Sequence, residues 1–226
     1  MHYPRALAIF AKWPIAGQAK TRLVPVLGSA GARDLARSFL LDAVELARRV
    51  EGADVVVFYT PRDQRRAFQE LVGSSVALVA QNGDNLGERM SNALSHLSTR
   101  GYEFSALMGT DLPTLPLNRL VSALGKSRSV VLGPSLDGGY YLIGVRTLHR
   151  HLFEGIEWST SRVLGQTLDR ITALGLDVEC LEPWYDVDTP DDLNLLVSHL
   201  GLLIASGKPD LPRYTVNVLQ RLGRLR

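Results

Sequence analysis

The chain has 226 residues, 46% of them hydrophobic and 21% charged, with a formal net charge of +2. That is enough apolar material for one core of above-average size. No shift in composition marks a second, so residues 1–226 are expected to form a single domain with 201–226 as a C-terminal tail. The charge is too mild and too evenly spread to argue for nucleic acid as a partner.

Cys180 is the only cysteine, so neither an internal disulfide framework nor a thiolate zinc cluster can be built, which fits a reducing compartment. The first apolar run, Ala6 to Phe10, is too short for a signal peptide or a membrane span. A cytoplasmic protein with no membrane partner is expected.

In chain order, Ala6–Phe10 reads as a central strand, and the following loop through Leu23 carries both chain breakers and charges. Ser29 can cap a helix whose apolar positions, from Leu35 to Ala47, follow helical spacing until Gly52. Asp54–Tyr59 is a β-branched strand, and Thr60-Pro61 opens a short polar helix through Leu71. Ser75–Ala80 reads as another strand, followed by the loop Gln81–Asn85 and a helix from Leu86 to about Ser98.

Phe104–Met108 is an apolar run that ends in Gly-Thr-Asp-Leu-Pro113, which places Asp111 just past a strand's carboxyl end. A helix is predicted from Pro116 to Leu124, and strands at Ser129–Leu132 and Tyr140–Ile143 flank the glycine pair Gly138-Gly139. Trp158 to Ser161 reads as the cap of a helix from Val163 to Leu174, and Asp177–Leu181 as a final strand. The last strong helix has Thr189 as its cap and Pro190 at its first position. The pattern weakens from Gly201, although Tyr214, Val218, Leu219 and Leu222 give the tail an apolar face that could dock as a helix. Strands and helices alternating at this spacing predict a three-layer α/β/α sandwich with a mostly parallel sheet, and the Gly-Gly-Tyr-Tyr segment predicts an antiparallel insertion.

Four polar clusters carry possible chemistry. Lys12, Lys20, Thr21 and Arg22 lie in the loop after the first strand, where cations and backbone N–H groups make an anion site suited to a triphosphate. A solvated basic loop is the alternative. Asp111 forms a second cluster, and Asp186 with Asp188 a third. Hard oxygen donors from two distant segments, meeting near phosphates, are how Mg²⁺ is usually held. The alternatives are a turn aspartate at 111 and a charged helix start at 186–192, where Asp191 and Asp192 are assigned the structural role. The fourth cluster is the loop Ser135–Tyr141, either a simple turn or the seat of a second substrate. No Walker loop, dinucleotide fingerprint or nucleophile elbow occurs.

Taken together, Lys12 with Gly17-Gln-Ala-Lys-Thr-Arg-Leu23, Gly83–Met90, Gly109–Pro113, Asp137–Gly144, Trp158-Ser-Thr160 and Asp186–Leu193 resemble the DUF2064 proteins. These are also called radical-SAM/selenodomain-associated transferases, of the nucleotide-diphospho-sugar transferase superfamily with the GT-A fold. Asn85 is one residue more than that family's Gly-Asp-Leu-Gly pattern. The resemblance implies a Mg²⁺ (or Mn²⁺) enzyme in which Asp111 and Asp188 are the metal carboxylates. Nucleotidyl transfer from a nucleoside triphosphate to a small acceptor is the expected reaction, with Lys20 and Arg22 stabilising the pyrophosphate and Lys12 assisting. Ala11, Lys12, Gly17, Lys20, Arg22, Gln81 and Asp84 are the expected nucleotide site, and Asp137, Gly138, Gly139 and Tyr140 the acceptor site. Glycosyl transfer from a nucleotide sugar is the alternative in the same fold, and a non-catalytic nucleotide-binding protein is another. The base, the acceptor and the oligomeric state stay open.

Overall fold

The computed structural model describes residues 3–225. Seven strands form one sheet: β1 (Arg5–Lys12), β2 (Asp54–Thr60), β3 (Ala77–Ala80), β4 (Phe104–Met108), β5 (Val130–Pro134), β6 (Tyr140–Val145) and β7 (Val178–Cys180). Their order is β3-β2-β1-β4-β6-β5-β7. All neighbours pair in parallel except β6, which runs antiparallel to both β4 and β5. Reversing β6 alone keeps the turn between β5 and β6 at the same sheet edge as the carboxyl ends of β1 and β4. That edge therefore collects the loops after β1, after β4 and between β5 and β6, the usual setting for a ligand crevice in an open α/β sheet.

The helices are α1 (Val24–Arg48), α2 (Arg65–Val72), α3 (Leu86–Ser98), α4 (Leu117–Gly125), α5 (Val163–Ala173), α6 (Pro190–Ala205) and α7 (Arg213–Arg221). Alternation along β1 sends its side chains to two cores. Leu7, Ile9 and Ala11 pack with Leu40 and Val44 of α1, Phe68 of α2 and Leu120 of α4, while Ala6 and Ala8 pack with Met90 and Leu94 of α3 and Ile171 of α5. The three-layer sandwich with an antiparallel insertion is thus the observed architecture. A third cluster joins Leu35 and Phe39 of α1 to Leu193 and Leu196 of α6 and Val218 and Leu219 of α7.

Local chemistry explains two of the helix starts. Thr189 caps α6 in a reciprocal box: its hydroxyl accepts from the Asp192 amide, while Asp192 Oδ2 accepts from the Thr189 amide at 2.7 Å. Asn85 caps α3, with its Oδ1 accepting from the Glu88 amide at 3.0 Å and its Nδ2 donating to Glu88 Oε1 at 2.8 Å. The residue that looks like an insertion is therefore the helix cap. Four expectations are adjusted. A short helical stretch from Val24 precedes the long helix expected from Ser29, and the two meet at a break at Gly28, whose φ of 69° lies in the left-handed region. The polar turn after β2 splits into a 3₁₀ turn, Arg62–Gln64, and α2. The edge strands β3 and β7 are shorter than Ser75–Ala80 and Asp177–Leu181, in keeping with the way edges are protected from stray pairing. Residues 158–161 do not cap α5, whose cap position is Arg162 with no side-chain hydrogen bond.

The tail is tied in by one buried carboxylate. Asp42 of α1 accepts from the Tyr214 and Thr215 amides at 3.0 and 2.8 Å, which satisfies two of the open N–H groups at the start of α7. Burial pushes its pKa up to about 6, against the hydrogen bonds from Thr215 and Tyr214 and the nearby Arg213 charge. A carboxyl group whose pKa is raised on folding adds stability below its unfolded value, and that contribution fades as pH rises through the folded value. Unfolding by urea is thus expected to show a decline in stability of at most about 3 kcal/mol between about pH 4 and pH 6, which Asp42→Asn flattens. Asp42→Ala, which leaves both amides without an acceptor, is expected to cost about 2 kcal/mol at pH 7.

Candidate functional site

The carboxyl edge of the sheet opens into a cleft of about 890 Å³. Its floor is the ends of β1 and β4, through Ala11, Met108 and Gly109. The loop after β1 forms one wall, with Lys12, Lys20 and Arg22, and the turn between β5 and β6 forms the other, with Asp137, Gly139 and Tyr140. Trp158 to Ser161 complete the rim.

Lys20 organises the acidic centre. Its backbone is left-handed (φ 47°, ψ 49°), just before a 3₁₀ turn, Thr21–Leu23, that is anchored by the fully buried Leu23. From there the side chain runs inward until it is 6% exposed. Its ammonium lies 2.9 Å from Asp111 Oδ1, 2.6 Å from Asp188 Oδ1 and 2.7 Å from the Val187 carbonyl oxygen. Burial alone would lower the lysine pKa, but the charges of Asp111 and Asp188 outweigh it and hold the group above its ordinary value.

Backbone pairing holds the two carboxylates in place. The Val187 amide donates to the Asp111 carbonyl at 3.0 Å, which seats residues 186–188 beside the loop after β4. Asp192 then accepts from the Asp188 and Thr189 amides, so the capping box of α6 also fixes the angle at which Asp188 leaves the chain. Asp111 and Asp188 remain 42% and 43% exposed, and both line the cleft.

A third carboxylate, Asp186, is raised to about pKa 6, chiefly by burial, then by Asp137 and by Asp188 and Asp111. The basic residues that line the cleft are Lys12, at the end of β1, and Lys20 and Arg22, from the loop that follows it. Among the described residues, no three His, Cys, Asp or Glu side chains are grouped closely enough to hold a metal by themselves. The Asp111–Asp188 pair matches the donor chemistry of Mg²⁺ or Mn²⁺, with substrate oxygens and water completing the shell.

Other expected site residues are placed differently. Lys12 and Arg22 reach the cleft, and buried Ala11 contributes to its floor. Gln81 does not line it: the side-chain amide donates to the Phe58 carbonyl at 2.8 Å and to the Ala11 carbonyl at 3.4 Å, closing the ends of β1 and β2. Asp84 is outside the cleft as well, with its amide held by Glu88 Oε2 at the start of α3. Gly17 takes a φ of 78° in the β1 loop without lining the cleft.

Gly138 also lies outside the lining. With a φ of 90° it packs so closely on Ser161 that a Cβ would overlap the Ser161 carbonyl oxygen, and its own carbonyl accepts from the Leu164 amide at 2.9 Å. This contact locks the β5–β6 turn to residues 158–161. Trp158 is held from the opposite side, where a Cβ on Gly87 would lie 2.7 Å from the indole nitrogen. The Trp-Ser-Thr-Ser run is thus a wall of the site, a role its cap-like composition concealed.

The DUF2064 family model, described as an uncharacterized protein conserved in bacteria, matches residues 43–160. The chain belongs to the DUF2064 family. As a DUF2064 chain it is similar to a solved protein of Desulfovibrio desulfuricans G20, provisionally named a nucleotide-diphospho-sugar transferase, with 33% identity over 99% of this chain and 98% of that one and a TM-score of 0.89. The fold is also similar to that of CMP:2-keto-3-deoxy-manno-octonic acid synthetase in complex with CTP (13% identity, 90% of this chain and 99% of that one, TM-score 0.55). It is similar again to Rv0371c of Mycobacterium tuberculosis H37Rv in complex with manganese (15% identity, 86% and 97%, TM-score 0.52). Among curated proteins, none matches the sequence. The architecture is the nucleotide-diphospho-sugar transferase type expected from the sequence.

The two adjacent glycines of this DUF2064 chain separate backbone need from mere tolerance. Gly138→Ala is expected to cost about 1–3 kcal/mol in thermal denaturation, from its positive φ and the Ser161 overlap. At Gly139 an added Cβ would meet only the Asp137 carboxylate, at 3.2 Å and not backbone, so Gly139→Ala is expected to cost less than about 1 kcal/mol.

Proposed function

We propose that this protein is a Mg²⁺-dependent nucleotidyltransferase that joins a nucleoside monophosphate, taken from a nucleoside triphosphate, to a small acceptor. The observation that carries the reading is the meeting of Asp111 and Asp188 beside a basic loop in one cleft at the sheet's carboxyl edge. When bound, Mg²⁺ (or Mn²⁺) would draw charge off the phosphate oxygens. Asp111 and Asp188 would hold it.

Lys12 and Arg22 are the cations free to meet the β- and γ-phosphates, and Arg22 offers a planar fork suited to two phosphate oxygens. The acceptor, lying between Asp137, Gly139, Tyr140 and Trp158, brings its oxygen in line with the α-phosphorus. One P–O bond forms there as the bond to pyrophosphate breaks. Placement and electrostatic stabilisation perform such a transfer without a protein nucleophile. The partners on this reading are a nucleotide and a small acceptor met in the cytoplasm, with no nucleic acid or membrane. No helix among the described residues is long and apolar enough to cross a membrane.

Glycosyl transfer from a nucleotide sugar is the second reading. It is favoured by one observation: Lys20 is saturated by the carboxylates, so two cations rather than three face the phosphates, enough for a departing nucleoside diphosphate.

Incubation with Mg²⁺ and panels of triphosphates and nucleotide sugars is expected to release pyrophosphate from a triphosphate. Release of nucleoside diphosphate from a sugar donor would instead establish the second reading. Asp111→Asn, which preserves shape but not charge, is expected to lower turnover at least about 100-fold while circular dichroism stays native. A protein that turns over neither class, and whose nucleotide affinity is untouched by Asp111→Asn, would be a binding protein and not a transferase.

A further inference from the structure

The Lys20 ammonium has three N–H donors and three oxygens within 2.9 Å, one each from Asp111, Asp188 and Val187. Behind it lies the Phe39 ring, with the nitrogen 5.4 Å from the centroid. The stem is covered, the backbone around it is anchored by Leu23, and the near contacts of the ammonium are all with the protein's own oxygens. Such an arrangement differs from that of Lys12, whose residue is exposed at the end of β1. It differs also from a mobile phosphate clamp, which keeps its donors toward solvent. Lys20 takes Oδ1 from each carboxylate, and both aspartates, 42% and 43% exposed, line the cleft.

We propose that Lys20 is a resident counter-cation. It is a positioning residue that gathers Asp111 and Asp188 into one site and, by halving their charge, keeps the empty site's affinity for free divalent ions low. A dication brought to the two remaining oxygens would sit beside a fixed like charge, and that repulsion is strong where water is partly excluded. A nucleotide's phosphates supply the missing negative charge, so the metal enters with the nucleotide and not ahead of it. The proposal rests on reading Asp111 and Asp188 as the metal seat, and it reassigns the lysine from the leaving group to the carboxylates.

Mn²⁺ titration of the nucleotide-free protein, followed by calorimetry and by the rise in melting temperature, tests this without turnover. Lys20→Met is expected to bind Mn²⁺ at least about tenfold more tightly than the wild type and to gain more thermal stability from it. Lys20→Arg, which keeps the charge, is expected to stay near the wild type. Equal or weaker Mn²⁺ binding by Lys20→Met, or no binding by either protein at millimolar Mn²⁺, overturns the proposal.

A second measurement needs no variant. The three acceptors should shield the Lys20 ammonium protons from exchange, leaving a ¹⁵N-correlated signal at neutral pH that Lys12 lacks. Exchange as fast as that of Lys12 overturns the assignment. The transferase reading stands or falls separately on product release: turnover with unchanged Mn²⁺ affinity in Lys20→Met rejects only the counter-cation, and tightened Mn²⁺ affinity without turnover rejects only the transferase.

Discussion

The structure depends on one buried ammonium held between two carboxylates. Lys20, Asp111 and Asp188 come from the loop after β1, the loop after β4 and the approach to α6, three segments that share no strand or helix. Two carboxylates this close would repel one another and resist ionisation together; the lysine removes that cost and makes their proximity stable. Removing one partner from such a group leaves a charge stranded in a partly dry place, which is far more damaging than the modest net stabilisation of the intact group suggests.

The fold delivers these parts through one departure from a parallel sheet. Were β6 parallel, no tight turn could join it to β5, and the crossover would carry Gly139 and Tyr140 to the edge opposite Asp111. Its reversal places the acidic turn opposite the basic loop, and the glycine contact with Ser161 carries the Trp158 wall along with it. The cleft therefore has a polarity, with cations on the β1 side, carboxylates in the middle, and aromatic and hydroxyl groups at the far rim.

Much of this was legible in the residues. Phe104–Met108 is the strand expected, Leu86–Ser98 falls where its apolar spacing put it, α6 starts at Pro190 where capping chemistry put it, and Asp111 lies past a strand's carboxyl end as its Gly-Thr-Asp-Leu-Pro setting implied. Composition misled where one residue type serves two purposes. Trp158–Ser161 has the makings of a helix cap yet lines the cleft. Gln81 has the makings of a base-reading amide yet spends its donors on backbone carbonyls. Asn85 resembles an insertion in a motif and is a cap.

By itself the sequence determined the order and kind of the elements, because hydrophobic period, capping and turn preference are chemistry between near neighbours. It also showed which loops past the strand ends carry basic and acidic side chains. Only the tertiary structure decided which oxygens the Lys20 ammonium faces, because Lys20 and Asp188 lie 168 positions apart and their meeting depends on sheet order, the reversal of β6 and the seating of Val187 on Asp111. A side chain's charge can be read from its letter; its partner is set by packing at a distance that no local pattern encodes.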